Sequence, residues 1–255
     1  MELSEFAGRL DELLDVADYA DVDASANGLQ VGPDDGAVET VAFAVDAAVE
    51  TAERAADAGA DALVVHHGLS WGGIERVTGR TYDRVAPLVE RDVALYVAHL
   101  PLDGHQELGN AASLADLLDL EGREVFGEMG GVPVGQRGRL PEPTALDDLA
   151  TRLAADLDTG GSPVQVLDEG PDPVEDVAVV TGSGADFLDA AVAADADLLL
   201  TGEGKGKLYH EARESEVNVA LAGHYATETF GVRALRERAE SWGLETVWLD
   251  CPTGL

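Results

Sequence analysis

The sequence predicts an α/β protein built from two related α/β lobes. Three observations carry that prediction. Short apolar runs alternate with Ala-rich helical segments, the chain of 255 residues suits one large α/β domain or two small ones, and the second half echoes the first. A hydrophobic content of 45% marks a globular chain with enough apolar surface for a sizeable core.

Residues 4–19 read as an amphipathic helix, with Ser4 as N-cap and Leu10, Leu13, Leu14 and Val16 as its apolar stripe. A polar, Gly-containing turn from Asn27 to Gly32 follows. A strand over 41–45 leads to a helix over 47–57 that Gly59 closes. A second strand over 62–65 runs directly into His66, His67 and Gly68. A helix over 80–91 contains Pro87, which removes one backbone donor from it. A third strand over 93–98 ends at His99 and Asp103, and a helix near 107–119 completes the unit. Such alternation implies parallel strand pairs joined by crossover helices.

Residues 127–143 are rich in Gly and Pro without a clear period, and read as a connection with one strand at most. A helix over 144–157 would be capped by Thr144, with Asp147 and Asp148 in its first turn. A short strand over 164–167 precedes the repeat. Residues 177–180 then resemble 41–44, and 197–200 resemble 61–64 at the same offset of 136, while 217–222 resemble 93–98. A helix over 227–240 follows.

The charge is strongly unbalanced: 50 acidic against 16 basic residues, a formal net charge of −34. Only Lys205 and Lys207 are lysines, and the acids are spread along the chain rather than gathered in a tail. Such a surface repels itself in dilute buffer and is screened in strong salt, which points to a salt-rich cytoplasm. It disfavours nucleic-acid binding through a basic face. The single cysteine, Cys251, excludes an internal disulfide framework and a cysteine-based zinc site, and reads as a small residue near the last strand. The acidic start of the chain lacks a signal core, and no apolar run approaches the ~20 residues of a membrane span. A cytoplasmic protein without membrane attachment is expected.

The chemistry concentrates in few positions. The histidines are His66, His67, His99, His105, His210 and His224. Two adjacent histidines in extended backbone face opposite ways, but just past a strand end the chain can turn so that both converge. Imidazole suits zinc, iron and other first-row metals. The doublet alone reads equally well as surface or core residues. His224 and Glu228 form an i,i+4 pair at the start of the last helix, where both side chains share a face. They follow an apolar strand in the position that Asp103 holds in the first half, and ligands in open α/β sheets gather at the carboxyl ends of strands. Together these positions offer three imidazoles and two carboxylates. Two divalent ions there would make a locally positive site suited to an anionic substrate. Paired ions about 3.5–4 Å apart can share a water, activate it near neutral pH and polarise a carbonyl or phosphoryl oxygen.

Lys205 and Lys207 lie in the loop Gly202-Glu203-Gly204-Lys205-Gly206-Lys207, which lacks the Walker spacing. They are read as contacts for a substrate phosphate, against the alternative of an exposed, flexible loop. His99, Glu203 and His210 are candidates for proton transfer or for supporting the ligands. No nucleophile elbow and no Cys–His pair is present, which argues against serine or cysteine catalysis.

Several motifs together resemble one family. They are Asn27 to Gly32, His66-His67-Gly68-Leu69, Ala98-His99 through Asp103, Thr201-Gly202-Glu203, and Gly223-His224-Tyr225-Ala226-Thr227-Glu228. In this order they resemble the dinuclear metal-centre hexameric proteins, also called GTP cyclohydrolase type 2 homologues or the NGG-interacting-factor-three-like family. The resemblance implies two divalent ions, Zn, Fe or Mn, ligated by His66, His67, Asp103, His224 and Glu228. It implies mixed sheets flanked by helices, a metal site between the lobes, and a ring-shaped homohexamer. One lobe would comprise 1–125 plus 220–255 and carry most of the ligands; the other would comprise 126–219. The chain looks like a short member, and Gly68 departs from the commoner His-His-Pro, which alters the backbone beside the ligands. The implied activity is a metal-dependent hydrolase acting on a nucleotide or related phosphate compound, with GTP ring opening as the named candidate. The rival reading is a non-catalytic metal-binding or partner-interaction protein.

Overall fold

The computed structural model describes residues 1–255 and contains two mixed sheets flanked by helices. In chain order the elements are α1 (Leu3–Leu13), β1 (Gly28–Val31), β2 (Thr40–Asp46), α2 (Val49–Asp57), β3 (Ala62–His67), α3 (Arg80–Glu90), β4 (Ala94–Val97), α4 (Leu100–Gly104) and α5 (Asn110–Leu117). There follow β5 (Glu121–Met129), β6 (Val132–Thr144), α6 (Leu146–Asp156), β7 (Gln165–Leu167), β8 (Val174–Val179), α7 (Leu188–Ala193), β9 (Leu198–Thr201), α8 (Leu208–Ser215), β10 (Asn218–Leu221), α9 (His224–Ser241) and β11 (Glu245–Trp248). The chain forms two compact units: Met1–Leu102 with Gly231–Cys251, and Asp103–Phe230 with Pro252–Leu255. The first unit holds His66, His67 and His99, and the second holds Asp103, His224 and Glu228.

The first unit contains the five-stranded sheet β1-β4-β3-β2-β11, parallel throughout except for β1, which pairs antiparallel with β4. Its strands are apolar on both faces because both faces are covered. Val41, Phe43, Val64 and Tyr96 pack with Leu3, Phe6 and Leu10 of α1 and with Val232 and Leu235 of α9. Ala42, Ala44, Leu63, Val65 and Leu95 pack on the opposite face with Ala52 and Ala55 of α2 and Leu88 of α3. The two-residue alternation of the strands thus assigns neighbouring positions to different cores.

The second unit contains the six-stranded sheet β5-β6-β8-β9-β10-β7, in which β8, β9 and β10 run parallel and the outer pairs are antiparallel. Val177, Val179, Leu198 and Leu200 bury against Leu114 of α5 and against Leu149 and Leu153 of α6. The order β7-β10-β9-β8 matches β1-β4-β3-β2, down to the antiparallel first strand. The match extends to hydrogen bonds. The Asp61 carboxylate accepts from the backbone of Glu39 and Thr40 at 2.8 and 2.9 Å. That of Asp197 accepts from Glu175 and Asp176 at 2.8 and 3.0 Å, and all three positions are offset by 136.

Several local readings are corrected. The helix expected over 4–19 stops at Leu13, and Asp15 adopts a left-handed conformation (φ +49°) before a short 3-10 turn over Val16–Tyr19. Ser4 lies inside α1 and does not cap it; the Leu3 N–H donates to the Gly36 carbonyl at 2.7 Å, so a distant backbone oxygen replaces the cap. The expected turn over 27–32 contains strand β1, recruited by the open edge of β4. The connection expected over 127–143 lies in the hairpin β5–β6, closed by Gly130 and Gly131, both at positive φ. Thr144 ends β6 rather than capping α6, whose Leu146 N–H is met by Asp172 at 3.2 Å. No helix is long and apolar enough to cross a membrane.

Candidate metal-ligating clusters

In the first unit, three imidazoles meet at the carboxyl ends of β3 and β4. Ligand nitrogens of His66, His67 and His99 lie within 4.8 Å of one another. The ring centroids of His66 and His67 are 4.7 Å apart, and that of His99 is 5.1 and 5.8 Å from them. Strand β3 runs through both members of the doublet, so they do not lie past its end as expected. They are its last two residues, and their rings converge there.

Each ring is held by its Nδ1. His66 Nδ1 lies 2.8 Å from the Ala98 carbonyl, His67 Nδ1 2.9 Å from Asp46 Oδ1, and His99 Nδ1 2.9 Å from Asp23 Oδ1. The carbonyl or carboxylate oxygen accepts in each of these bonds, so each Nδ1 carries a proton and Nε2 is the nitrogen that would face a metal. This is the arrangement that metal-ligating histidines adopt. Asp46 faces His67 because β2 and β3 pair in register at that point. Asp23 is braced by Asn27 Nδ2 at 2.8 Å and by the backbone N–H groups of Ser25 and Leu100. Burial pushes its carboxyl up, but the bonds from His99, Asn27 and Ser25 outweigh that and hold it below the ordinary range.

In the second unit, carboxylate oxygens of Asp103 and Glu228 lie within 4.8 Å of one another, and both residues are buried. Two buried acids so close are costly unless a cation or proton compensates them. Asp103 Oδ1 accepts from Asn110 Nδ2 at 2.9 Å and from the Thr181 hydroxyl at 3.1 Å. Helix α9 starts at His224 rather than at 227, so His224 and Glu228 stand one turn apart with Nε2 and Oε2 3.1 Å from each other. Glu203 Oε2 is 3.4 Å from His224 Nδ1. Burial disfavours charge on His224, yet Glu228 and Glu203 overcome it and raise the imidazole from 6.5 to about 9. The Ser183 hydroxyl, with help from His224 and against burial, holds the Glu203 carboxyl below its usual range. Gly182 has positive φ, and a Cβ there would collide with Glu228 Oε1, so only glycine admits this packing.

The donor chemistry in each unit therefore fits divalent metal: oriented imidazoles in one, and buried carboxylates beside an imidazole in the other. The family described as Duf34/NIF3 (NGG1p interacting factor 3) matches residues 1–253. The chain belongs to the Duf34/NIF3 family. It is 60% identical over its whole length to a Halobacterium salinarum protein, also fully covered, named GTP cyclohydrolase 1 type 2 homolog. A Pyrococcus horikoshii protein of the same name is 44% identical, with both chains fully covered. The crystal structure of TTHA1606 from Thermus thermophilus superposes with a TM-score of 0.88 at 41% identity, covering 100% of both chains.

Other predicted positions of this Duf34/NIF3 chain have local roles. Both lysines reach Asp186: Lys205 pairs with it directly, and Lys207 lies 3.2 Å from it and 3.6 Å from Glu211. His210 is exposed on α8 with its ring 5.2 Å from Tyr209. His99 joins the two histidines of β3 rather than standing apart from them. Sequence reasoning missed Asp46, Asp23, Gly182, Asn110 and Thr181. For Asp46 a signal existed, since it ends one parallel strand as His67 ends the next. Asp23 sits among many acids, and nothing in the sequence distinguishes it.

Proposed function

We propose that the chain is a metal-dependent hydrolase acting on a nucleotide or related phosphate compound. In this reading His66, His67, Asp103, His224 and Glu228 hold two divalent ions, Zn, Fe or Mn. The observation that carries it is the Nδ1 anchoring of His66 and His67, by the Ala98 carbonyl and by Asp46, which orients two neighbouring imidazoles as ligands. The name GTP cyclohydrolase 1 type 2 homolog, borne by its relatives, makes GTP the first substrate to test.

Bound divalent ions would supply water activation near neutral pH and polarisation of the substrate oxygen. The chain's own residues do the rest. Asp46 and Asp23 fix ring orientation and tautomer in the first unit. His99, its Nδ1 held by Asp23, would exchange a proton at Nε2. Glu203, kept ionised by Ser183, can accept a proton beside His224. His210 would serve as a more distant proton carrier, and Lys205 or Lys207 would exchange Asp186 for a substrate phosphate. A homohexamer in a salt-rich cytoplasm completes the reading; the acid excess and the Halobacterium relative support the second half of it.

The test is turnover of GTP and simple phosphoesters by protein purified in strong KCl and loaded with Mn, Zn or Fe. Metal-dependent turnover that His67→Ala and Glu228→Ala each abolish is expected. Stoichiometric metal without turnover on the whole panel would leave a non-catalytic metal-binding protein.

A further inference from the structure

Trp71 is an anomaly of the first unit. Its indole is 51% exposed, although a ring of that size normally contributes to a core or an interface. It is not adrift. Trp71 forms an antiparallel bridge with Ser25, and the next residue, Gly72, donates its N–H to the Ala24 carbonyl at 2.7 Å. The segment that pins it, residues 23–25, is the one whose Asp23 holds His99. The indole stands edge-on to the His99 ring, with centroids 4.9 Å apart and planes at 82°, and its centroid is 6.0 Å from that of His67. A half-open aromatic surface, anchored through its backbone to residues 24 and 25, thus borders the three imidazoles.

We propose that Trp71 is the stacking platform for a flat heteroaromatic ring of the substrate, of the nucleobase class, holding it beside the histidine cluster. The proposal rests on the reading of that cluster as part of a metal centre for nucleotides. Stacking on indole suits any nucleobase because each offers a π-face, and a fixed platform loses little entropy on binding. A phosphate alone would gain nothing from it. The platform therefore recognises the base, and leaves the anionic part of the ligand to metal and cationic groups.

The experiment is calorimetric titration of the full-length, Mn-loaded protein in strong KCl with GTP, guanosine and inorganic triphosphate, for wild type, Trp71→Ala and Trp71→Phe. Trp71→Ala should weaken GTP and guanosine by roughly 5- to 100-fold, with Trp71→Phe keeping most of the affinity and triphosphate indifferent to both. A variant carrying Trp242→Phe and Trp248→Phe leaves Trp71 as the sole indole, and its emission should be quenched by guanosine but not by triphosphate. Equal guanosine binding by wild type and Trp71→Ala overturns the platform and leaves the metal reading intact. Absence of guanosine binding to the wild type overturns it too, and the Mn content of the same samples reports on the metal centre separately.

Discussion

At the scale of single residues, the account depends on which nitrogen of each imidazole carries the proton. Asp46 acts as a positioning residue through His67. Asp46→Ala should lower affinity for Mn or Zn by about 10- to 100-fold, read by chelator competition, while the thermal midpoint of the metal-free protein stays close to wild type. A large loss of metal-free stability with unchanged affinity would assign Asp46 to the fold instead. His224 makes a pH prediction. With its imidazole raised from 6.5 to about 9, the metal-free folded state gains stability that is fully present below 6.5 and lost as pH rises through 9. In the proposed centre, metal binding would displace that proton. Apparent affinity should therefore rise with pH up to about 9, with a proton released at about pH 7.5, measurable by calorimetry in buffers of different ionisation enthalpy. No buffer dependence would contradict it.

At the scale of elements, the internal repeat is the organising feature. Asp61 and Asp197 each tie the start of one parallel strand to its neighbour through two backbone N–H groups. Asp197→Ala should cost about 1–3 kcal/mol in urea denaturation, and Asp61→Ala a similar amount, because two donors lose a charged acceptor in each case. Much of this scale was legible in sequence. The runs over 41–45 and 62–65, with the helix between them, announce a parallel pair, and the offset of 136 points to their counterparts. What was illegible depended on tertiary partners. The segment 27–32 becomes a strand only because β4 offers an edge, and α6 is capped by Asp172 from 26 residues away. The hairpin over 121–144 was hidden by polar and Pro-rich strands, although Gly130-Gly131 carried the signal for a two-residue turn. At the candidate site, the histidines and acids could be picked out from their place after apolar strands, whereas Asp23 and Gly182 could be recognised only from contacts.

At the scale of the whole molecule, charge and metal dominate. Fifty acidic against sixteen basic residues repel one another in dilute buffer. The thermal midpoint should climb steadily as KCl is raised from about 0.1 to 2 M, since the screening length shrinks from about 10 Å at the low end to about 3 Å or less. A flat profile would separate the acid excess from any salt adaptation. The central claim is the proposal that His66, His67, Asp103, His224 and Glu228 hold two divalent ions. Elemental analysis of reconstituted, extensively dialysed protein tests it most directly, with His67→Ala and Glu228→Ala run alongside the wild type. Two divalent ions per chain and a clear loss in both variants are expected; a wild type that retains no metal, or variants that retain all of it, would contradict the claim.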